Sequence, residues 1–448
     1  MVKKLKVLFS IFGTELPRKG NVRYNYILGI TNGSLFMFGI AFINPLTVLP
    51  VFIKYFTASD FIVGIASSLW RMGWLLPQLL VAGHVEKIPY KRGIYLRMNG
   101  IRLLLTWLTI PLVATYALSH PTFTLVCFLL LFALATFLGG IAGLPFNDMV
   151  AKTIPVEHLG SFFSTRMFFG AGVMSIVAGL IVKYILSADA VFPFPNNFVI
   201  IFTLAALFMT LGIATYAFVR EPPSKISSTK RTFYSLIKEI PVILKRDVNY
   251  RRLIIIQLLS SGISFSLPFY IIIAQEKFGS TVSAAGTFIV LQTIGVLFFN
   301  LLWKFISSHR GDRQVIFVAL VLQAAIPIYA LIMSKGFGFW LLQSPPWMVT
   351  VAFSPIFILI GGTMSGLWVG YSSYLLSIAP EDRRPTYVGT SNTILGVAAI
   401  FPALGGYIAD LAGLHSVIVL SVLTVSVAIP YSRKLKAPTS QLREEPTT

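Results

Sequence analysis

Charge is scarce in this chain. Lys, Arg, Asp and Glu make up 12% of its 448 residues, against about 25% in soluble domains, which argues against a large water-soluble enzyme. Cysteine is scarcer still: the single Cys127 lies in an apolar run, leaving no disulfide framework and no thiolate metal site. The five histidines (His84, His120, His158, His309 and His415) stand singly, without ligand spacing. No His-Glu-x-x-His zinc motif, intramembrane aspartate pair or Gly-x-x-x-x-Gly-Lys phosphate loop occurs. No metal, no cofactor and no enzymatic activity are therefore expected, and a nucleotide-driven pump is disfavoured.

What the chain has instead is apolar surface. Hydrophobic residues make up 56% of it and the mean hydropathy is +0.79, which reads as an all-α polytopic membrane protein. A spanning helix needs ~20 mostly apolar residues, and twelve such runs are found. They lie near 26–53, 60–83, 98–118, 122–149, 160–186, 198–219, 253–275, 283–306, 314–333, 349–377, 386–411 and 415–432.

The formal charge of +20 raises the question of nucleic acid, and its distribution answers it. With residues near a run's end counted to the adjoining loop, thirty-one of the 36 lysines and arginines fall on the N-terminal side of the membrane, and four on the other. Such a bias places both termini in the cytoplasm and directs the charge at anionic lipid head groups. No nucleic-acid partner is needed to explain it. The basic, briefly apolar start, residues 1–25, reads as a cytoplasmic lead-in. Residues 220–252 form a basic linker in which Phe233, Leu236, Ile237 and Ile240 recur at helical spacing, as in an amphipathic helix on the inner surface. The linker separates bundles at 26–219 and 253–432, and 433–448 form a cytoplasmic tail.

The two halves repeat. At an offset of 222, Phe56 falls on Phe278, Gly64 on Gly286, Gly73 on Gly295 and Lys91 on Arg313. Further along, Pro155 pairs with Pro380 at 225, and Gly170 and Gly179 pair with Gly396 and Gly405 at 226. Small residues recur where helices must approach closely. The loop AGHVEKIPYKRG, read from Ala82, places Glu86, Lys87, Pro89 and Lys91 on the positions of a Gly-x-x-x-Asp-Arg-x-Gly-Arg-Arg signature. The loop KFISSHRGDR, read from Lys304, places Ser308, Gly311 and Arg313 on the same positions.

This chain resembles the major facilitator superfamily of secondary transporters, of the bacterial type, over nearly its whole length. The two degenerate loop signatures carry the resemblance, with IAPEDRRPTYVG after the tenth run and IPVEHLGSFFSTR as its first-half counterpart. It implies two pseudo-symmetric six-helix bundles rocking about a midplane site, in a protein of the cytoplasmic membrane expected to be a monomer. The family's antiport signature is broken at Lys183 and its arginine motif on the fourth helix is missing, so membership of the drug antiporters is not supported. Drug efflux on the same fold remains the alternative transport reading, and a non-transporting receptor or scaffold the alternative of another class.

Arg71 lies near the middle of the second run, on the order of 16 Å from either end. A central arginine costs about 2.5–3.5 kcal/mol unless it meets a cavity or partner. Gly64, Ser67, Ser68, Trp74 and Gln78 share its helical face. Arg71 is therefore expected to look inward, either to bind an anionic group of a small-molecule substrate or to bond carbonyls, amides and water. Asn32 and Phe36 on the first helix, Gln257, Ser261 and Ser264 on the seventh, and Trp368 and Tyr371 on the tenth complete the expected substrate site. As a set they suit a moderately hydrophobic neutral or anionic molecule. Asp148 and Arg166 are expected to pair and, with Glu86, Lys87, Lys91, Gly311 and Arg313, to form a conformational latch; a static structural pair is the alternative.

Overall fold

A computed structural model describes residues 20–85, 88–187, 192–223, 233–380 and 384–436. Glu86 and Lys87, and the side chain of Gln78, lie outside them. The described residues are almost wholly helical because lipid offers the backbone no hydrogen bonds, and a helix satisfies its own. The first half contains α1 (Asn21–Ala41 continued by Val48–Lys54), α2 (Asp60–Val85), α3 (Arg92–Tyr116) and α4 (Pro121–Thr153). It is completed by α5 (Val156–Met167 continued by Ser175–Ile185) and α6 (Asn196–Thr215). The second half contains α7 (Val248–Ser260 continued by Phe269–Ile272), α8 (Ala284–Arg310), α9 (Asp312–Leu331), α10 (Pro346–Ile378), α11 (Arg384–Val397 continued by Phe401–Ala412) and α12 (Leu414–Ser432). Among the described residues ten stretches, from α3 through α12, are long and apolar enough to cross a membrane. The chain is an integral membrane protein.

The interrupted helices are related by the repeat. In α1 the Asn44-Pro45 step removes a backbone donor and crowds the preceding turn. The Asn44 side chain accepts the Leu46 N–H at 2.9 Å and Ser67 donates to the Pro45 carbonyl at 3.1 Å. In α7 the equivalent place, reached by adding 222, is Ser266-Leu267, between the tightened turn Ser261–Phe265 and Pro268. A π-helical turn over Phe168–Met174 in α5 answers a 3₁₀ turn over Ala398–Ile400 in α11. Irregular backbone of this kind is tolerated in a membrane where protein covers it.

Glycines set how closely the helices approach. A side chain on Gly73 of α2 would run into Thr136 of α4, and one on Gly295 of α8 into Ile358 of α10. Both contacts map onto each other at 222. Between the halves, Gly64 abuts Pro402 of α11, and Gly286 of α8 abuts Gly179 and Lys183 of α5. Every hydrogen bond between the halves, among the described residues, joins residues 54–71 to residues 264–276 or 403–410. These bonds lie toward the end of the bundle opposite the basic loops.

Between the halves, Phe233–Arg246 is helical. Its Ile243 is buried against the second half beside Tyr250 and Leu253. Asp247 then caps α7 by accepting the Tyr250 N–H at 2.8 Å.

Candidate functional site

A cavity of ≈ 600 Å³ lies among α1 to α5 of the first half and α8 of the second, within the range of about 300–1,000 Å³ usual for small-molecule sites. Its walls are aromatic: Phe36, Trp70, Trp74, Tyr95, Phe146 and Phe163. Two arginines line it, Arg102 on α3 and Arg166 on α5, and among the described residues no Asp, Glu or His does. Arg102 is 4% exposed and Arg166 7%.

Arg166 is held to α1 through Nη1. Its Nη1 donates to Asn32 Oδ1 at 2.8 Å and to the Gly29 carbonyl at 2.9 Å. Its guanidinium lies over the Phe146 ring, 4.6 Å from the centroid. Gly33 admits it, because a Cβ there would meet the arginine stem. Asn32 in turn donates to the Gly212 carbonyl at 2.8 Å, tying α1, α5 and α6 together. Arg102 differs. It lies over Phe36, 5.1 Å from the centroid, and packs beside Gly139. It makes no ion pair and its guanidinium no hydrogen bond among the described residues.

Of the residues singled out in the sequence, Asn32, Phe36 and Trp74 line this cavity. Arg71 does not; it faces the second half and donates to Ser264 at 2.8 Å. Gln257 accepts from Ser391 at 3.0 Å, Ser261 donates to the Gln257 carbonyl at 2.8 Å, and Tyr371 donates to Ser260 at 2.9 Å. These bonds knit α7 to α10 and α11. Trp368 is 72% exposed and is not among the residues lining this cavity.

The expected Asp148–Arg166 pair does not form. Arg166 turns to α1, while Asp148 lies 3.7 Å from the Lys91 ammonium and 3.5 Å from that of Lys152, one turn along α4. Lys152 also pairs with Glu221 at 2.7 Å, and Glu221 accepts the Lys91 and Arg92 N–H groups at 2.7 and 2.9 Å. Burial lowers the pKa of Lys91 from the ordinary lysine value, with Asp148 and Glu221 acting against it. In the second half Arg313 donates to the Leu435 carbonyl at 3.2 Å, and Gly311 ends α8 at a φ of 75°, a conformation that favours glycine. None of these bonds joins the first half to the second.

Arg102 and Arg166 lie near the ends of their runs, where the charge count groups them with the adjoining loops. The signal that could have found Arg102 is its place inside an apolar run, with Phe36 and Gly139 on facing helices visible only in three dimensions.

Two repeat-related helical bundles enclosing a small-molecule cavity define the architecture of a membrane transporter. The chain belongs to the Major Facilitator Superfamily, whose family model matches residues 31–399 and, again, 253–447. It is 24% identical over 306 residues to the uncharacterized protein Rv2209 of Mycobacterium tuberculosis and, equally, to Mb2232 of Mycobacterium bovis, a match covering 67% of this chain. The chain spans 56% of the length of those relatives. Among solved structures it is similar to the nucleoside transporter NupG, at 14% identity and a TM-score of 0.66, over 92% of this chain and 98% of that one. A POT family transporter in complex with 5-aminolevulinic acid aligns at 15% identity and a TM-score of 0.66, over 93% and 97%. The fucose:proton symporter FucP of E. coli aligns at 16% and 0.58, over 93% and 100%.

Proposed function

We propose that this protein is a secondary or facilitative transporter that carries a small, moderately hydrophobic organic anion across the cytoplasmic membrane by alternating access. In this reading α1 to α12 all span, both termini are cytoplasmic, and the working unit is one chain. The two halves rock about the cavity, and the hydrogen bonds at residues 54–71 hold one end shut while the other admits the solute.

The observation that carries the anionic reading is the pair of buried arginines on a cavity with no acidic residue among its described lining. At an effective dielectric constant of about 20, a unit charge ~4 Å from a guanidinium is attracted or repelled by about 4 kcal/mol. An organic cation would meet that repulsion twice, and an anion the attraction. The fold does not choose the solute, since its structural neighbours include a nucleoside transporter, a sugar symporter and a complex with an amino acid. Aromatic walls favour a cargo with an apolar body. Lys91, Asp148, Lys152 and Glu221 fit a switch on the basic-loop side, and Arg71 a strut between the halves.

The test is a thermal-shift panel of anionic, neutral and cationic organics on purified protein, repeated on Arg102→Gln, with uptake of each stabilising solute into proteoliposomes. A ligand at ~100 times its Kd adds about 2.7 kcal/mol of stability. Anions are expected to stabilise the wild type, to lose that effect in Arg102→Gln, and to be taken up. Stabilisation by cations, or by neutral compounds alone, removes the anionic reading.

A further inference from the structure

Buried polar groups in folded proteins almost always find hydrogen-bond partners, so those without one mark what is missing. Apart from the exposed Asn147, the amide, hydroxyl and guanidinium groups lining the cavity bond within the protein, with two exceptions. Thr136 donates to the Ala133 carbonyl, Ser175 to that of Gly170, Thr293 to that of Ile289, and Asn99 to that of Tyr95. Asn32, Tyr95 and Arg166 bond one another or the backbone, and Asn44 accepts from Leu46.

The exceptions are Arg102 and Gln292. Arg102 has five N–H donors and no hydrogen-bond acceptor for them among the described residues. The carboxamide of Gln292, on α8, has no hydrogen-bond partner among them either, and its Oε1 is sealed from solvent. Rotation about the last side-chain torsion lets this amide offer either its oxygen or its nitrogen to the cavity. One group belongs to the first half and the other to the second.

We propose that Arg102 and Gln292 are the two ends of the cargo site. The cargo is bipartite: an acidic group held by Arg102, an apolar body against the aromatic walls, and a hydroxyl or amide held by Gln292. Such a molecule satisfies both unmet groups at once and ties the two halves together. A simple carboxylate satisfies only Arg102, leaving Gln292 unpartnered, and binds more weakly. Arg166, whose Nη1 already donates to Asn32 and Gly29, shapes the pocket and supplies charge, whereas Gln292 sets specificity. This deepening rests on the anionic reading above.

The experiment uses three matched probes on the purified full-length protein: phenylacetate, para-hydroxyphenylacetate and the uncharged para-hydroxyphenylacetamide. Their affinities are measured on wild type, Arg102→Gln, Gln292→Leu and the unbranched Gln292→Met. Melting curves without ligand select the Gln292 variant that folds. Wild type is expected to bind the hydroxylated acid about tenfold tighter than phenylacetate, the worth of one hydrogen bond to a buried unpaired group. In the Gln292 variant the two acids should bind alike, and Arg102→Gln should bind neither. If both acids bind through Arg102 without preference, or the preference survives loss of Gln292, the bipartite site is wrong and the anionic reading stands. If the neutral amide binds as well as the acids, or no probe binds at millimolar concentration, the anionic reading falls with it.

Discussion

Lys54 and Glu276 stand 222 positions apart, the interval that relates the two halves, and they bond each other at 3.2 Å. Equivalent residues of two related units touch only where the symmetry axis passes between them. The pair therefore marks the pseudo-twofold axis at the end of the bundle opposite the basic loops. Two lysines or two glutamates there would repel; one of each attracts.

The two partners are not of equal weight. Glu276 is half exposed, and an exposed pair contributes about 0–1 kcal/mol. Lys54 also pairs with the mostly buried Asp60, at 2.9 Å. Glu276→Gln is therefore expected to lower stability by less than ~1 kcal/mol, whereas Lys54→Met strands the Asp60 carboxylate and costs about 3 kcal/mol. Thermal unfolding of the two variants side by side checks the order, and equal losses would refute it.

Asp410 closes the same end from α11. Its carboxylate accepts from Ser59 Oγ at 2.6 Å and from the Asp60 and Phe61 N–H groups at 2.7 and 3.1 Å. A carboxylate of the second half thus caps the N-terminus of a helix of the first, where the helix dipole favours negative charge. Asp410→Asn is expected to weaken this contact by about 1–2 kcal/mol and to open the cavity toward that end. A cysteine at Ala171, in a Cys127→Ala background, should then react faster with an impermeant thiol reagent from that side. An unchanged rate would mean that Asp410 does not hold the end shut.

Much of the architecture was legible before any coordinates. Gly64, Gly73, Gly286 and Gly295 stood out because close helix contacts demand small residues at fixed spacing, and all four sit at such contacts. The cavity was far less legible. Hydropathy finds the lipid-facing length of a helix, but a helix that lines a cavity stays polar inside its span. Arg102 is roughly 15 Å along α3, yet fell near the boundary drawn at 98 and was counted with the loops. Arg71 was conspicuous as an intramembrane charge. That Ser264, 193 residues away, receives its hydrogen bond is a long-range fact that no local pattern encodes. Asp148 and Arg166 were matched by depth alone, and depth does not say which face of a helix each takes.

The repeat makes a paired prediction. Gly64→Val and Gly286→Val each drive a side chain into backbone across the interface between the halves, Gly64 at α11 and Gly286 at α5. As equivalent sites they should be damaged alike, by about 1–3 kcal/mol or more. Gly100, inside α3, has nothing within 4 Å of where a Cβ would stand. Gly100→Ala should be neutral or stabilise by up to about 1 kcal/mol. Melting temperatures of the three variants read this directly, and a harmless Gly64→Val or Gly286→Val would contradict the close approach of these helices.

The two cavity arginines should answer substitution with opposite signs. Removing Arg166 leaves the buried Asn32 Oδ1 without its donor, whereas the Gly29 carbonyl keeps its place in the helix. A stranded buried group costs about 1–3 kcal/mol, and Arg166→Gln is expected to lower the stability of the empty protein by that amount. Removing Arg102 strands nothing, because its guanidinium has no acceptor among the described residues, and it relieves a buried charge of its desolvation. Arg102→Met should therefore leave the empty protein as stable as wild type or more so, while abolishing anion binding. A residue that costs stability in the empty state and is required only when cargo is bound is the signature of a site kept for function. Thermal unfolding without ligand, followed by the acid-binding assay on the same samples, separates the two roles. A destabilised Arg102→Met would mean that Arg102 is structural, and the anchor for the cargo would have to be sought elsewhere in the cavity.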